Sequence, residues 1–352
     1  MKVYFADAQK NHDPKSFLSS GAPQPNPEVP ERAVRLLAAA RKSGLELEVP
    51  SDFGLKFIAR VHTPEYLHYL QNIFKRWSRI EGAAAEVTPN IHPDRRDGGY
   101  PKSAVGQAGW HHYDTSAPIT ADTWESILWS AHSATHAALN VVDGARASYA
   151  LCRPPGHHAS REMAGGFCYL SNASIAAEAL RSRYSRVAIL DIDVHHGNGT
   201  QSVFYARNDV FTVSLHADPV RFYPFFWGHR DERGEGNGLG YNLNVPLLRG
   251  TGDDGYLKEL DGALQRIAAF EPDAIIVALG LDAHEDDPFH GLAITTPGFG
   301  KIGGTIGACS LPTVLIQEGG YLSESLGPNL SAFLDGFNST HGTRFATQQT
   351  NR

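Results

Sequence analysis

Residues 189–200, with the sequence Ile-Leu-Asp-Ile-Asp-Val-His-His-Gly-Asn-Gly-Thr, mark the point where an apolar run changes abruptly into acids, imidazoles and glycines. In an extended strand side-chain direction repeats every two residues, so Asp191, Asp193 and His195 should project to one side. The apolar residues before them indicate a buried strand, and residues 200–206 indicate the start of a helix. The cluster should therefore lie at the carboxyl end of a strand, where open α/β sheets place their ligands.

The length and composition of the chain favour one large enzyme domain. At 352 residues it exceeds the usual size of one core, but large α/β sheets routinely form a single domain. The composition, 41% apolar and 20% charged, is ordinary for a globular enzyme. No apolar run reaches the roughly 18 residues that a membrane span needs. The short apolar N-terminal segment fits a first strand better than a secretory signal. We therefore expect no membrane association.

Charge and cysteine content bear on partners and compartment. The net charge of −7 disfavours non-specific nucleic-acid binding and mildly favours a cationic ligand. The three cysteines, Cys152, Cys168 and Cys309, are widely spaced and form no Cys-x-x-Cys pair. We expect them to be reduced, mostly buried thiols in a cytoplasmic protein.

Strands and helices alternate through the second half of the chain, which predicts βαβ units and a parallel sheet. Strands are predicted at residues 147–152, 187–192, 211–215, 241–245, 274–278 and 313–316. Helices are predicted at residues 31–43, 57–67 with a new start at a Thr-Pro pair, 124–142, 171–183, 254–270, 297–309 and 328–337. Residues 76–123 are rich in Gly, Pro, Asp and His and too long for a passive connection, which favours a lid, a binding loop or an oligomer contact.

Polar residues follow four of the predicted strands at the point where each strand ends. They are residues 153–159, the Asp191 cluster, Asp282 and residues 317–321. Because the carboxyl ends of parallel strands meet at one edge of a sheet, we expect these four loops to converge on a single site.

Asp193, His195 and Asp282 would form a set of three metal ligands with one coordination position left for water, as in catalytic zinc sites. A bound metal lowers the pKa of its water from about 16 towards 7 and polarises a carbonyl oxygen. The alternative is that these residues are ordinary helix caps and surface groups. Their positions at matching strand ends favour the metal site.

The adjacent His157 and His158 are better interpreted as proton-transfer groups, because histidine titrates near neutrality. Each needs an orienting partner on its other ring nitrogen, and Asp191 and Asn198 are suitable. A carboxylate partner favours the imidazolium more than an amide does, so the pKa values of the two histidines should differ. The alternative is a pair of solvent-facing histidines in a Pro-Gly turn.

Tyr321 follows two glycines that would permit a close approach of the backbone. Its hydroxyl could hydrogen-bond an oxyanion that develops at the metal. The alternative is a turn with a packed aromatic side chain.

Together these motifs closely resemble the zinc-dependent histone deacetylase and acetylpolyamine amidohydrolase family. The matching segments are Arg-Pro-Pro-Gly-His-His at 153–158, Gly-Gly-Phe-Cys-Tyr-Leu at 165–170, residues 191–200, Ser-Leu-His at 214–216, Leu-Asp at 281–282 and Glu-Gly-Gly-Tyr at 318–321. The resemblance implies the arginase/deacetylase fold, an α/β fold with an eight-stranded parallel sheet flanked by helices. It places a single deacetylase domain at residues 1–341, followed by a polar tail at 342–352.

The resemblance also implies roles for individual residues. It implies one zinc ion per chain, bound by Asp193, His195 and Asp282. His158 would be the general base and acid, oriented by Asn198, and His157 the electrostatic partner, oriented by Asp191. Tyr321 would polarise the amide carbonyl. The native metal stays open, since iron(II) could replace zinc.

Family members also hold structural monovalent cations, here K⁺ or Na⁺. The first site would use the Asp191 side chain, Ser214 and the backbones of Asp193, His195 and Leu215. A second would use Phe204, Arg207, Val210 and Tyr241, the first three through their carbonyls.

Phe167 and Tyr223 match the aromatic walls of the family's substrate tunnel, between which a methylene chain could slide. Gly166, Phe289 and Asp114 are the further substrate-binding candidates. The overall pattern most resembles the bacterial acetylpolyamine amidohydrolases, in which the long insert makes a dimer contact and narrows the entrance. We therefore expect a homodimer with its contact in residues 76–123.

The chain differs from its relatives at the residues that would bind the distal amine of the substrate. Two insert glutamates of a relative align with Val105 and Ser116, and Asp114 is the nearest acid. Phe289 stands where a eukaryotic polyamine deacetylase has glutamate. Preference for a polyamine is therefore less firmly implied than amide hydrolysis.

The leading hypothesis is a zinc amidohydrolase of polyamine metabolism that removes acetyl from small linear amines such as acetylputrescine or acetylcadaverine. Deacetylation of acetyl-lysine in proteins is the close alternative. A non-catalytic binder of acylated amines is disfavoured, because every ligand, both histidines and the tyrosine are present. A binuclear manganese hydrolase with an arginase-like site would need more acidic ligands than these strand ends supply.

Overall fold

Eight parallel strands form the centre of the molecule. The structure, a computed structural model, describes residues 1–342. Within that range the strands are β1 (Lys2–Tyr4), β2 (Ser16–Ser19), β3 (Ala22–Pro25), β4 (Glu46–Glu48), β5 (Ala147–Ala150), β6 (Val187–Asp191), β7 (Val210–Ala217), β8 (Asn242–Leu247), β9 (Ala274–Leu279) and β10 (Thr313–Gln317). The sheet has the order β4-β1-β5-β10-β9-β6-β7-β8 with all pairs parallel, and β2 and β3 form a separate antiparallel hairpin.

Helices cover both faces of the sheet. They are α1 (Glu31–Lys42), α2 (Ile58–Val61), α3 (Pro64–Trp77), α4 (Ala104–Trp110), α5 (Thr123–Val142), α6 (Asn172–Leu180), α7 (Asn198–Phe204), α8 (Asp253–Phe270), α9 (Thr296–Gly307) and α10 (Leu326–Thr340). The expected single α/β domain with an eight-stranded parallel sheet is confirmed. No helix in residues 1–342 combines the length and the apolar character needed to cross a membrane.

Alternate strand residues belong to two different hydrophobic cores, as expected for a sheet that is buried on both faces. In β6, Val187 and Ile189 join the core that includes residues of α5 and α6. Ala188 and Leu190 join the core formed with α8, α9 and α10. Both cores are continuous across the sheet, so the strand ends are held in a fixed arrangement.

The predicted strands and most helices are found, with boundary shifts of a few residues. One correction concerns the opening motif: β6 ends at Asp191, so Asp193 and His195 lie in the loop beyond it and do not alternate along a strand. The chain turns after His196, because Gly197 and the first residue of α7 come directly after it. The side chains are therefore gathered by loop geometry.

The segment 76–123 is more ordered than a loop. Helix α3 extends through Trp77, α4 lies inside the segment, and Val87 pairs with Ile119 in an isolated antiparallel bridge. Its role as a dimer contact stays a prediction. The predicted tail lies almost entirely outside the described residues.

Strand order explains why one edge of the sheet carries so many polar groups. The four strands β5, β10, β9 and β6 are consecutive neighbours in the sheet. The chain passes from β5 to β6 over the positions that β9 and β10 later fill. Such a switch in strand order leaves a crevice at the carboxyl ends of the strands, which is where these folds bind ligands.

Candidate active site

Two carboxylates and an imidazole form a buried cluster in this crevice. Asp193, His195 and Asp282 each offer a ligand atom, and the three atoms lie within 4.8 Å of one another. The Nδ1 atom of His195 is 3.2 Å from Asp193 Oδ1 and 3.2 Å from Asp282 Oδ2. Asp282 Oδ2 is buried, and the His195 imidazole is its one polar partner among the described residues. Two buried carboxylates that share one imidazole leave negative charge in the interior, which is costly, so the cluster fits a bound cation.

Backbone amides fix the remaining carboxylate oxygens. Gly319 N–H donates to Asp193 Oδ2 at 2.8 Å, and Val194 N–H donates to Asp282 Oδ1 at 3.0 Å. A Cβ atom at Gly319 would lie 2.1 Å from Asp282 Oδ2, so this position requires glycine. The loops after β6, β9 and β10 therefore orient the two carboxylates together.

The electrostatics of the cluster also favour a cation. Burial lowers the pKa of the His195 imidazole, but hydrogen bonds to Asp193 and Asp282 and their charges outweigh burial and raise it to about 9. The two carboxylates thus stabilise a positively charged His195 imidazole beside them. A divalent metal would take the place of that proton, with two oxygens and one imidazole nitrogen as a ligand set suited to zinc.

The two adjacent histidines have different partners. His157 Nδ1 lies 2.9 Å from Asp191 Oδ2, and His158 Nδ1 lies 2.7 Å from Asn198 Oδ1. Both imidazoles are buried, with ring centroids 4.0 Å apart. The structure therefore brings together the residue pairs that the sequence proposed.

The partners separate the proton affinities of these histidines. Burial lowers the pKa of His157, but the charges of Asp193 and Asp191 outweigh it and raise the pKa to about 10. Burial, with the positive charges of His157 and His195, holds the pKa of His158 well below its usual value. In this charge state His157 is the cation and His158 the free base.

Glu318 supports the histidine pair, a role that the sequence did not reveal. Its carboxylate Oε2 accepts backbone N–H groups from Gly156 at 2.6 Å and from His157 at 3.0 Å. Burial raises the pKa of Glu318 to about 8. The loop after β10 thus holds the loop after β5 in position.

A cavity of about 300 Å³ leads to the cluster. Its lining residues come from the β2–β3 hairpin, the 76–123 segment and the loops after β5, β6, β7, β9 and β10: Phe17, Leu18, Ser19, Ser20, Ser116, His158, Gly166, Phe167, His195, Arg221, Phe222, Tyr223, Phe225, Phe289 and Tyr321. The cavity is mostly aromatic with polar groups at its base, as in sites for elongated apolar ligands.

Aromatic rings line the cavity on several sides. Phe289 lies 4.9 Å from Tyr321 and 6.5 Å from Phe167, measured between ring centroids. Phe222, which the sequence did not single out, stacks on His195 at 5.0 Å. A Cβ atom at Gly166 would lie 2.5 Å from the His158 ring, so glycine is required where the wall meets the histidine.

Asp114, a predicted substrate contact, accepts three hydrogen bonds from neighbouring protein groups. Its Oδ2 accepts from Tyr223 Oη at 2.6 Å and from Gly166 N–H at 3.0 Å, and its Oδ1 accepts from Ser116 N–H at 2.9 Å. It is absent from the described residues that line the cavity. These bonds connect Asp114 to two residues of the cavity wall, Gly166 and Tyr223, and its contact with the substrate stays a prediction.

Tyr321 lies at the base of the cavity with a buried ring. The Arg32 guanidinium stacks over the ring at 4.9 Å from its centroid, and Asp287 Oδ2 accepts the Tyr321 N–H at 3.0 Å. Burial raises the pKa of the Tyr321 phenol well above its usual value, so it stays protonated. It is therefore available as a hydrogen-bond donor.

The candidate monovalent-cation residues are partly brought together. Asp191 and Ser214 are register partners in β6 and β7, although Ser214 Oγ also bonds His216 Nδ1 at 2.9 Å. Of the second set, the Phe204 carbonyl accepts the Arg207 N–H at 2.9 Å. Cation binding at both positions stays a prediction.

Residues 26–337 match the family model described as the histone deacetylase domain. The chain belongs to the histone deacetylase family. It is 48% identical to the acetylpolyamine amidohydrolase of Burkholderia pseudomallei over 97% of this chain and 100% of that protein. It is 43% identical to acetylpolyamine amidohydrolase 1 of Pseudomonas aeruginosa, covering 96% of this chain and 99% of that protein.

Solved structures agree with this assignment. The crystal structure of acetylpolyamine aminohydrolase from Burkholderia pseudomallei superimposes with a TM-score of 0.94 at 47% identity, covering 97% of this chain and 100% of that chain. The two proteins share the arginase/deacetylase fold. This family member is thus a deacetylase, an enzyme that hydrolyses amides.

Proposed function

We propose that this deacetylase uses one zinc ion to remove acetyl groups from small linear amines such as acetylputrescine and acetylcadaverine. The observation that carries the proposal is the convergence of the Asp193–His195–Asp282 cluster, the histidine pair and Tyr321 at the base of one aromatic cavity. The acetylpolyamine amidohydrolases to which the chain is similar support this substrate class.

The ligand set proposed for zinc is Asp193, His195 and Asp282. When bound there, zinc would polarise the acetyl carbonyl and acidify the attacking water. The two buried carboxylates that face the His195 imidazole support this assignment. Zinc dependence is a property of the family, and iron(II) is the alternative to be tested by metal analysis.

His158 is proposed as the general base. Its Nδ1–H donates to the Asn198 carbonyl oxygen at 2.7 Å, which leaves the lone pair of the neutral ring on Nε2. Nε2 can take the proton of the attacking water and return it to the leaving amine. His157, held as a cation by Asp191 and Asp193, would oppose the negative charge that develops beside it.

Tyr321 is proposed to donate its phenolic proton in a hydrogen bond to the carbonyl oxygen of the substrate. Donation strengthens as negative charge collects on that oxygen, so the bond favours the transition state over the ground state. The ring is fixed between Arg32 and Phe289, so little reorganisation is needed.

The shape of the cavity favours small linear substrates over folded proteins. Phe167, Tyr223 and Phe289 leave room for a methylene chain. The hairpin residues Ser19 and Ser20 and the insert residue Ser116 further enclose the cavity. A bulky acetylated protein would have to pass these elements.

A substrate panel tests this proposal. Acetate release is measured for acetylputrescine, acetylcadaverine, an acetyl-lysine peptide and a folded acetylated protein, with Asp282→Asn as the inactive control. We expect the acetylated diamines to have the highest kcat/KM and the folded protein the lowest. Faster cleavage of the folded protein than of the diamines would reverse the proposed substrate order.

A further inference from the structure

The outer part of the cavity carries an unpaired positive charge. Arg221, in the loop after β7, is the one Arg, Lys, Asp or Glu side chain among the described residues that line the cavity. It is exposed and forms no hydrogen bond or ion pair with another described residue. Its neighbours in the chain, Phe222 and Tyr223, line the same cavity. Arg221 is therefore positioned to meet the far end of a substrate whose acetyl group lies at the cluster.

The cavity offers no carboxylate for a distal ammonium group within the described residues. Asp114 accepts three hydrogen bonds from protein groups and is not among the described lining residues. Ser116 and Phe289, which line the cavity, are uncharged, and Val105 packs against the hydrophobic core. A distal ammonium would thus have no acidic partner among these residues.

A distal carboxylate would meet complementary groups instead. The planar guanidinium can donate two parallel hydrogen bonds to a carboxylate. Ser19, Ser20 and Ser116 contribute hydroxyl groups to the same cavity. The methylene chain between the two ends would lie against Phe167 and Tyr223, whatever the distal charge.

We infer that the enzyme also deacetylates N-acetylated ω-amino acids, with Arg221 binding their distal carboxylate. The inference rests on the proposed deacetylase function and adds a substrate class to it. The reaction is balanced by water: the amide C–N bond breaks, the hydroxyl group of water joins the acyl carbon, and the amine gains the proton. The products are acetate and a free ω-amino acid.

Three substrates of equal methylene count test the inference: an N-acetylated ω-amino acid, an N-acetylated diamine and an N-acetylated alkylamine with no distal charge. We expect kcat/KM for the acid to exceed that for the alkylamine by roughly fivefold, the effect of one favourable exposed ion pair. The diamine is the reference for the proposed deacetylase function. The advantage of the acid over the alkylamine should shrink as ionic strength rises, because salt screens an exposed pair.

Variants of Arg221 identify the charge responsible. In Arg221→Gln the acid-to-alkylamine ratio of kcat/KM should fall towards one, in Arg221→Glu it should invert, and Arg221→Lys should keep part of it. Arg266→Gln, at an exposed arginine of α8, should keep the wild-type ratio.

Two results would overturn the inference: an acid cleaved no faster than the alkylamine by the wild type, or an advantage that survives in Arg221→Gln. If instead none of the three amides is hydrolysed by zinc-loaded protein, the proposed deacetylase function fails and the inference fails with it. Turnover of the alkylamine separates these cases.

Discussion

The tandem histidines show how a single neighbouring atom can divide two identical side chains into different roles. Asp191 gives His157 a charged partner, whereas Asn198 gives His158 a neutral one. The first arrangement favours the imidazolium and the second leaves a neutral base. The positions of these residues at strand ends predicted that they would meet, and the family resemblance implied which partner each histidine has.

Replacing the two histidines separately tests their roles. His158→Ala should lower kcat by roughly 10²–10⁴-fold, the range for loss of a general base, and His157→Ala should lower it less. Metal content should persist in both, since neither is a proposed ligand. The comparison requires folded protein, because His157→Ala also leaves Asp191 without its buried cationic partner. A larger loss of kcat in His157→Ala would contradict the base assignment.

Tyr321→Phe should lower kcat by roughly 10²–10³-fold, as expected when one oxyanion donor is lost. Zinc content and the thermal midpoint should stay near wild type. Tyr223→Phe is the matched control: it removes the same atom in the same cavity, but that hydroxyl bonds Asp114. We expect it to affect kcat much less. Equal kcat in Tyr321→Phe and wild type, measured by acetate release, would remove Tyr321 from the chemistry.

At the scale of elements, the hairpin formed by β2 and β3 is the part of the site that sequence reasoning missed. Its turn residues Ser20 and Gly21 both have positive φ, at 50° and 79°, as in the tight hairpin turns that match strand twist. Phe17 on β2 packs edge-on against Phe167 at 5.4 Å. The hairpin therefore completes one side of the cavity.

The hairpin was hard to predict because its strands are short and mostly exposed, and β3 contains two prolines. Only the Ser-Gly pair signals a turn. Helix α4 was missed for a different reason: glycines at 106 and 109 disfavour a helix. A Cβ atom at Gly109 would lie 1.8 Å from the Ile91 carbonyl oxygen, so tertiary packing overrides local propensity there. By contrast, the buried strands β6, β9 and β10 were predictable from their apolar runs.

Phe17→Ala tests the contribution of the hairpin to binding. Loss of an aromatic wall contact should raise KM for acetylated diamines by about threefold to tenfold, the effect of roughly 1 kcal/mol. The change in kcat should be smaller, because Phe17 does not contact the reacting groups. Phe226→Ala, at an exposed aromatic that does not line the cavity, is the control. An unchanged KM in Phe17→Ala would mean that the hairpin does not contribute to substrate binding.

At the scale of the whole molecule, buried neutral histidines connect the elements that carry the site. His62, between α2 and α3, accepts the Ser171 N–H at Nε2 (2.9 Å), and its Nδ1 lies 3.3 Å from the Arg161 carbonyl. Burial lowers the pKa of His62 to about 4. Burial likewise lowers the pKa of His111 and of His216 to about 4. Each imidazole is neutral in the folded protein near pH 6 and gains a proton when the protein unfolds in acid.

These histidines predict acid-sensitive stability. Between about pH 6.5 and pH 4 the unfolded chain binds a proton at His62 that the folded chain does not, so the free energy of unfolding falls as pH falls. The loss at this one residue is on the order of 3 kcal/mol over that interval. The free energy of unfolding is measured by urea titration at several pH values from 7 to 4.5. Its decrease with falling pH should be smaller in His62→Gln, whose side chain can keep a donor and an acceptor. The same pH dependence of the free energy of unfolding in the wild type and His62→Gln would exclude a contribution from His62.

The sequence also predicted how the whole molecule brings its site together, because the four polar loops follow strands whose apolar runs are unmistakable. Mostly buried cysteines were expected, and Cys152 and Cys168 are buried whereas Cys309 is exposed. The contacts that lie between loops, such as Glu318 with the Gly156 backbone and Asp114 with Tyr223, carry no local pattern and required the fold.

The central claim is that Asp193, His195 and Asp282 hold a metal required for deacetylation. The most direct test measures acetate release from acetylcadaverine by one preparation as purified, after metal removal by a chelator, and after zinc is restored, with bound metal determined each time. We predict that activity disappears with the metal and returns with one zinc per chain, while Asp282→Asn neither binds zinc tightly nor recovers activity. Full turnover by the metal-free protein would contradict the account.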